Sequence, residues 1–327
     1  MTRASVLLAL LCAGGCDFLA TGDSHDEYDD NDDSGITQPG VLDPQVDPTG
    51  NDVDVEIQES GVCECPVDDA GLYMLSESGE IWTFDPRTGC LTFVSQVDCG
   101  GQTDFFSLAV SRHGRAWIAF HGGDMYTVDL ADPGAACLDP GYVDDDALFG
   151  TGNMAFVRES ADDACDRMYL YSAMLDADIG TLAVMDPRTL ELSPLAIDEN
   201  LTYGDVTGTP DGRMLGLVRS PWAPRLHEWD KHTGELLAEA RIPELDDLWT
   251  GSITYWGGYF YIYASPEDTN ETRMLLEYDY FNLRGRGQVV TVVVEQLPFY
   301  PVGTAVSPCA PTYTEVERAV TPGCTKL

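Results

Sequence analysis

The sequence predicts an all-β fold, a β-propeller of five blades of four antiparallel strands, with the first blade closed by the C-terminal strand. The first observation behind this is a repeat. Ile81-Trp82-Thr83-Phe84-Asp85-Pro86-Arg87-Thr88-Gly89 is a strand that runs into an Asp-headed turn, and Val184-Met185-Asp186-Pro187-Arg188-Thr189-Leu190 nearly copies it. Weaker copies reach Asp129, Asp230 and Asp279, so that successive aspartates lie 44, 57, 44 and 49 residues apart. That is the period of four-stranded propeller blades and not of helical repeats. The second observation is patterning: from residue 70 onward, short runs of alternating apolar and polar residues are separated by Gly, Pro and Asp turns. No helical period of useful length interrupts them. The third is that the first unit is one strand short and the chain carries one strand to spare near its end.

Taken in order, the chain begins with Arg3, an apolar run from Ala4 to Cys12 that is too short to span a bilayer, and Ala13-Gly14-Gly15-Cys16. This is the pattern of an export signal, placed at residues 1–15. Its last four residues resemble a bacterial lipobox, with Ala13 where Leu is commoner, which implies that Cys16 is diacylated and becomes the new N-terminus. Two or more acyl chains on that cysteine suffice for stable anchoring. Residues 17–60 then hold fourteen Asp and Glu and no Lys or Arg, a large share of the formal net charge of −39. Such a run repels itself and cannot bury a core, so residues 16–62 are expected to be an extended acidic tether. As a calcium loop, Asp29 to Gly35 has its glycine one place late for an EF-hand and lacks the closing Glu.

The propeller is expected over residues 63–311, with a tail at 312–327. Leu72 to Leu75, Ile81 to Phe84 and Leu91 to Val97 supply three strands of the first blade. Four complete units follow. Phe105 to Val110, Ala116 to Phe120, Met125 to Asp129 and an outer strand near Cys137 to Val143 form one; Asn153 to Val157, Met168 to Ser172, Thr181 to Met185 and Glu191 to Ile197 form the next. Asp205 to Thr209, Met214 to Val218, Leu226 to Trp229 and Leu236 to Ile242 form the third; Ser252 to Tyr255, Phe260 to Ala264, Leu275 to Tyr278 and Val289 to Glu295 form the fourth. Gly-centred turns at Gly114, Gly212 and Gly257-Gly258 join the first two strands in three of these units. The spare strand, Val302 to Ser307, completes the first blade and leaves no sheet edge open. The alternative, six blades, needs a unit hidden between Asp129 and Asp186, where the extra residues instead form the acidic loop Asp144-Asp145-Asp146 and the loop Ser160 to Asp166.

Apart from Cys12 and Cys16, the chain has eight cysteines: Cys63, Cys65, Cys90, Cys99, Cys137, Cys165, Cys309 and Cys324. An even number in an exported chain points to disulfides, and Cys63-Glu64-Cys65 lacks the spacing and the partner pair of a zinc site. Ring closure predicts a bridge from Cys309 to Cys63 or Cys65. Cys99 and Cys137, in neighbouring blades, are a candidate pair, while Cys90, Cys165 and Cys324 are not assignable from spacing.

The lipobox and acidic linker, with Trp82 to Gly89, Thr207-Gly208-Thr209-Pro210-Asp211-Gly212-Arg213, Trp256-Gly257-Gly258 and Val306-Ser307-Pro308-Cys309-Ala310-Pro311, resemble secreted bacterial lipoproteins with β-propeller heads. The resemblance covers about residues 63–311. It implies fold and location, and it transfers no catalytic residue.

In a propeller the starts of the innermost strands ring one mouth of a central channel, the usual ligand site. Asp104, Asn153, Asp205, Thr250 and Thr304 stand near those starts. Two carboxylates and an amide there are a candidate calcium site, with no other cofactor expected, but no Glu falls at an inner-strand start to make a glycosidase pair. The repeated aspartates read as Asx-turn acceptors, one per blade. His25, His113, His121, His227 and His232 show no pair at ligand spacing, and no nucleophile elbow, phosphate loop or dinucleotide fingerprint occurs. Trp222 and the Pro298-Phe299-Tyr300-Pro301 loop offer aromatics either to a ligand or to the barrel as plugs. The acidic balance argues against nucleic acid and against direct docking on anionic lipid, leaving the N-terminal lipid as the membrane contact. The expected function is a binding or scaffold module for a protein or glycan, lipid-anchored outside the cytoplasm of a bacterium, in the periplasm or at the cell surface. Its alternative is a calcium-dependent hydrolase, lactonase- or glycosidase-like, working at the channel mouth.

Overall fold

The computed structural model describes residues 63–65, 71–132, 134, 136–143, 152–174, 179–186, 189–198, 203–220, 223–266, 272–283 and 285–312. The expected signal and Cys16, the acidic tether, residues 144–146, Trp222 and Cys324 lie outside these. The strands are β1 (Leu72–Ser76), β2 (Glu80–Asp85), β3 (Cys90–Gln96), β4 (Phe105–Val110), β5 (Arg115–Phe120), β6 (Met125–Asp129), β7 (Gly152–Arg158), β8 (Asp166–Met174), β9 (Ile179–Met185) and β10 (Leu192–Asp198). They continue with β11 (Tyr203–Gly208), β12 (Met214–Ser220), β13 (Ala223–Trp229), β14 (Leu236–Arg241), β15 (Leu248–Trp256), β16 (Tyr259–Pro266), β17 (Met274–Tyr278), β18 (Val290–Val294) and β19 (Pro301–Ala305). A 3-10 turn at Pro243–Leu245 is the one helical element among the described residues.

These strands pair into five antiparallel sheets, the blades of a propeller: β19-β1-β2-β3, β4-β5-β6, β7 to β10, β11 to β14 and β15 to β18. They are numbered here as blades 1 to 5. The closure is as the sequence predicts. β19 enters blade 1 as its innermost strand, with Tyr73 opposite Ala305 and Met74 opposite Thr304, so both ends of the folded chain share one sheet.

Blade 2 departs from the expectation. In place of an outer strand near Cys137 to Val143 it has a single bridge, Thr127 to Leu138. Two features stop the strand there: Pro140 has no N–H to give a ladder, and Gly141 turns into the left-handed region at φ 81°. Cys137, one residue before the bridge, is held by its disulfide to Cys99.

The apolar faces are buried between blades, with one cluster at each of the five interfaces. Leu72, Met74 and Trp82 meet Trp256, Tyr261 and Tyr263 between blades 1 and 5. Leu75 and Ile81 meet Leu108, Ile118 and Phe120 between blades 1 and 2. Trp117 and Ala119 meet Met154 and Met168, Tyr169 and Val157 meet Val206 and Trp229, and Leu215 and Leu226 meet Ile253 and Phe260. Strands covered on both faces in this way explain the near-continuous apolar run of β16, Tyr259 to Ala264, which is buried throughout. The inner strands approach so closely that a Cβ on Gly303 would lie 2.6 Å from the backbone nitrogen of Leu108.

The five repeated aspartates have the role read from the sequence. Each carboxylate accepts a backbone N–H from the turn that follows it: Asp85 from Arg87, Asp129 from Ala131, Asp186 from Thr189, Asp230 from His232 and Thr233, and Asp279 from Leu283, at 2.8–3.1 Å. Those two N–H groups hold the Asp230 carboxyl below its ordinary range.

Three disulfides join pairs of described residues. Cys65 pairs with Cys309, Cys63 with Cys165 and Cys99 with Cys137; Cys90 is disulfide-bonded as well. Of the two partners open to Cys309, the fold selects Cys65, because Cys63 is carried to blade 3. There the Asp163 carboxylate accepts the N–H groups of both Cys63 and Cys165, at 3.0 and 2.9 Å.

Candidate functional site

All five inner strands run in the same direction, so their starts define an upper face and their ends a lower one. The lower face is fastened down. Cys63-Glu64-Cys65 straps blade 3 to blade 1 through its two disulfides, and residues beyond β19 continue to blade 5, where Gly257 donates to Pro311 O and Tyr255 Oη donates to Thr312 O. Arg112 grips the buried carboxylate of Asp166 between blades 2 and 3 through its backbone N–H and its guanidinium, at 2.9 and 2.8 Å. Burial raises the Asp166 carboxyl against that pull. Lys231, in the turn below blade 4, donates its ammonium to three carbonyls, those of Arg158, Glu159 and Gly212.

At the axis, each inner strand carries a small polar residue just before its buried apolar one: Ser107, Asn153, Asp205, Ser252 and Thr304, preceding Leu108, Met154, Val206, Ile253 and Ala305. All ten are buried. Asn153, Asp205 and Thr304, read from the sequence, belong to this ring. Asp104 and Thr250 do not. Asp104 is exposed ahead of β4, where its carbonyl accepts the His121 N–H at 2.9 Å, and Thr250 is buried two residues before the ring position. Both displaced positions precede a bulge, since the pairing register shifts between Phe105 and Ser107 and between Thr250 and Ser252. A bulge adds one residue to one strand and re-aims the side chains that follow, which an alternation count cannot register.

Three members of the ring, Ser107, Asn153 and Asp205, bind neighbouring blades together. Met154 N–H donates to Ser107 Oγ at 3.1 Å, Asn153 Nδ2 donates to Gly204 O at 2.7 Å, and Ile253 N–H donates to Asp205 Oδ2 at 2.8 Å, so each bond ties one blade to the next. Asp205 Oδ1 accepts its neighbour Val206 N–H at 2.9 Å. Burial pushes the Asp205 carboxyl well above the ordinary carboxylate range, against the pull of those two N–H groups. It is the one acidic residue on the five inner strands. A paired-carboxylate mechanism needs a second acid at a defined distance, and calcium needs six to eight oxygens. One carboxylate with both oxygens engaged, among amide and hydroxyl groups, fits neither. The His/Cys/Asp/Glu group of ligand size among the described residues is Cys63, Asp163 and Cys165, whose sulfurs are bonded to each other.

What crowds the upper mouth is aromatic. Trp249, from the start of β15, lies at ring distances of 6.2 Å from Tyr203 at the start of β11, 6.2 Å from Tyr300 just before β19 and 5.8 Å edge-on from Tyr263. Tyr263 supports Tyr300 from below at 5.7 Å, and the Arg273 guanidinium stands 5.2 Å from the Tyr300 ring centre. Tyr203 is pinned by donating its hydroxyl to Gly251 O at 2.7 Å. Tyr203, Trp249, Arg273 and Tyr300 are each half-buried, with part of each surface open to solvent. Of these four, sequence reasoning singled out only Tyr300. Phe299, flagged with it, is a plug instead, stacked on Trp82 at 5.0 Å and buried. The missed signal is positional: Tyr203 and Trp249 each stand at or next to the first residue of an inner strand.

The histidines are scattered. His121 lies edge-on to Phe106 at 4.7 Å, His227 is 3.2 Å from Glu239 and His232 is 3.5 Å from Glu159. Among the described residues no helix is long and apolar enough to cross a membrane. The disulfides place the folded head in an oxidising compartment.

No protein-family model and no curated protein matches the chain. Comparison with solved structures finds the Dos1 propeller, at 12% identity and TM-score 0.42, covering 70% of this chain and 68% of that one. TolB from Acinetobacter baumannii matches at 14% and 0.40, covering 72% and 55%. An exo-β-1,3-galactanase from Phanerochaete chrysosporium matches at 11% and 0.43, covering 69% and 63%. At such identities and scores no site is transferred from any of them.

Proposed function

We propose that this propeller is an extracytoplasmic binding module, lipid-anchored through Cys16, whose aromatic mouth takes a neutral glycan. The observation that carries the reading is the character of the mouth: Trp249 flanked by Tyr203 and Tyr300, with Arg273 beside them, and Asp205 as the one acid on the inner strands below. Partly exposed aromatic faces offer flat apolar area at little entropic cost, and the guanidinium supplies fixed donors for hydroxyl groups. The overall charge of −39 disfavours polyanions, nucleic acid included, which leaves neutral sugars as the favoured class of polymer.

The test is titration of neutral oligosaccharides into the purified head by calorimetry, for the wild type and for Trp249→Ala and Tyr300→Ala. Stacking aromatics are binding hot spots, so each variant is expected to lose about tenfold or more in affinity while keeping its far-ultraviolet spectrum. Unchanged affinity in both variants, or capture of peptides in place of sugars, defeats the reading. Product release from a glycoside or lactone that disappears in Asp205→Asn would establish the hydrolase instead.

A further inference from the structure

The belt of side-chain bonds around the axis runs from blade 2 to blade 3 through Ser107, from blade 3 to blade 4 through Asn153 and from blade 4 to blade 5 through Asp205. It stops at blade 1, the blade assembled from both chain ends. The ring residues on either side of that seam are Ser252 and Thr304, and the hydroxyls of both are buried without a partner among the described residues. The Thr254 hydroxyl, two residues further along β15, is in the same condition. Buried hydroxyls are almost always hydrogen-bonded, and an exception points to an ordered water or ion. Thr254 and Thr304 also line one axial cavity, together with Thr207, Ala109, Ala155 and Val306. Its volume is about 10 Å³, the room that one water needs.

We propose that a single ordered water on the axis bridges Thr254 of blade 5 to Thr304 of blade 1 and carries the belt one interface further, across the seam. Each hydroxyl offers one donor and two acceptor positions, so a water between them is held from two sides, with Thr207 in the cavity wall as a third contact. Two or three hydroxyls suit a water; a hard cation needs about six oxygens and usually carboxylate charge. The seam would then differ chemically from the three bonded interfaces: direct bonds tie blade 2 to 3, 3 to 4 and 4 to 5, and a replaceable molecule ties blade 5 to blade 1.

Two measurements test this on the full-length protein. A high-resolution crystal structure is expected to show one density peak within hydrogen-bond distance, about 2.7–3.2 Å, of Thr254 Oγ1 and Thr304 Oγ1. An empty axis, direct bonding of both hydroxyls to protein groups, or a peak with the coordination number of a cation overturns the proposal. Thermal melts of Thr254→Val, Thr304→Val and the double variant provide the second. If one water serves both side chains, the first substitution already dislodges it, so the double variant should shift the melting temperature by clearly less than the sum of the singles. Additive shifts overturn it as well.

Discussion

Asp205 is where residue chemistry and ring architecture meet. Its two oxygens accept N–H groups from Val206 and Ile253, and burial pushes its carboxyl well above the ordinary range. In the unfolded chain the same group ionises at the ordinary aspartate value of 3.8. Below that pH both states are protonated and the group costs nothing; as pH rises the unfolded chain releases its proton first, and Asp205 progressively destabilises the fold until its own raised pKa is passed. Asp205→Asn removes this titration but puts an amide where a second acceptor was, leaving one backbone N–H unpaired at a cost of about 1–3 kcal/mol. The wild type should therefore be more stable than the variant by the largest margin near pH 4, and the margin should shrink as pH rises. Urea midpoints across that range check it; a margin independent of pH would mean that the carboxyl ionises at its ordinary value.

Among elements, the Asp-headed turn shows how a repeat tolerates its own exceptions. In two copies the last turn residue is a left-handed glycine, Gly89 at φ 71° and Gly234 at φ 74°, whose N–H returns to the aspartate carbonyl at 2.8 and 2.7 Å. In the third copy Leu190 takes the same place at φ 61° and makes the same bond at 2.8 Å. A left-handed L-residue costs roughly 1–2 kcal/mol, and burying a leucine returns about 1.5–3 kcal/mol. Leu190 is buried in the cluster between blades 2 and 3, so packing offsets the backbone. Leu190→Ala is expected to destabilise by about 2–4 kcal/mol, because it loses the packing and keeps the strain. Leu190→Gly should do less harm, by about 1 kcal/mol, because it loses the packing and relieves the strain. Chemical denaturation of the pair decides: if glycine is worse than alanine, backbone strain plays no part at this position.

For the whole molecule the controlling feature is the seam. The Cys65–Cys309 bridge has a sequence separation of 244 and fastens the chain on both sides of blade 1. In the chain-entropy model a loop of that size stabilises by roughly 5 kcal/mol, less any native strain. That is comparable with the net stability of about 5–15 kcal/mol typical of a folded domain. Replacing both cysteines by serine should lower the unfolding free energy by about 2–5 kcal/mol and leave the open edges of β1 and β19 exposed to intermolecular pairing. Thermal melts with light scattering, and non-reducing peptide maps that find Cys65 joined to Cys309, check this. A serine variant that melts with the wild type would mean that strand pairing alone holds the seam.

The sequence by itself determined the blade count, the closure of blade 1 by the last strand and the role of the five turn aspartates. Those properties rest on local chemistry: alternation sets strands, Gly and Asp set turns, and a blade one strand short must pair with the strand left over. The tertiary structure alone decided that Ser107 and Ser252 take the axial positions in place of Asp104 and Thr250, because two bulges displace the count. It also decided that Cys165 belongs to Cys63, since a strap below the disc joins blades that are not neighbours. The aromatic mouth was illegible for a similar reason. Tyr203 and Trp249 come from two inner strands and Arg273 and Tyr300 from two connections, and only the arrangement of blades about a shared axis brings their side chains to one place.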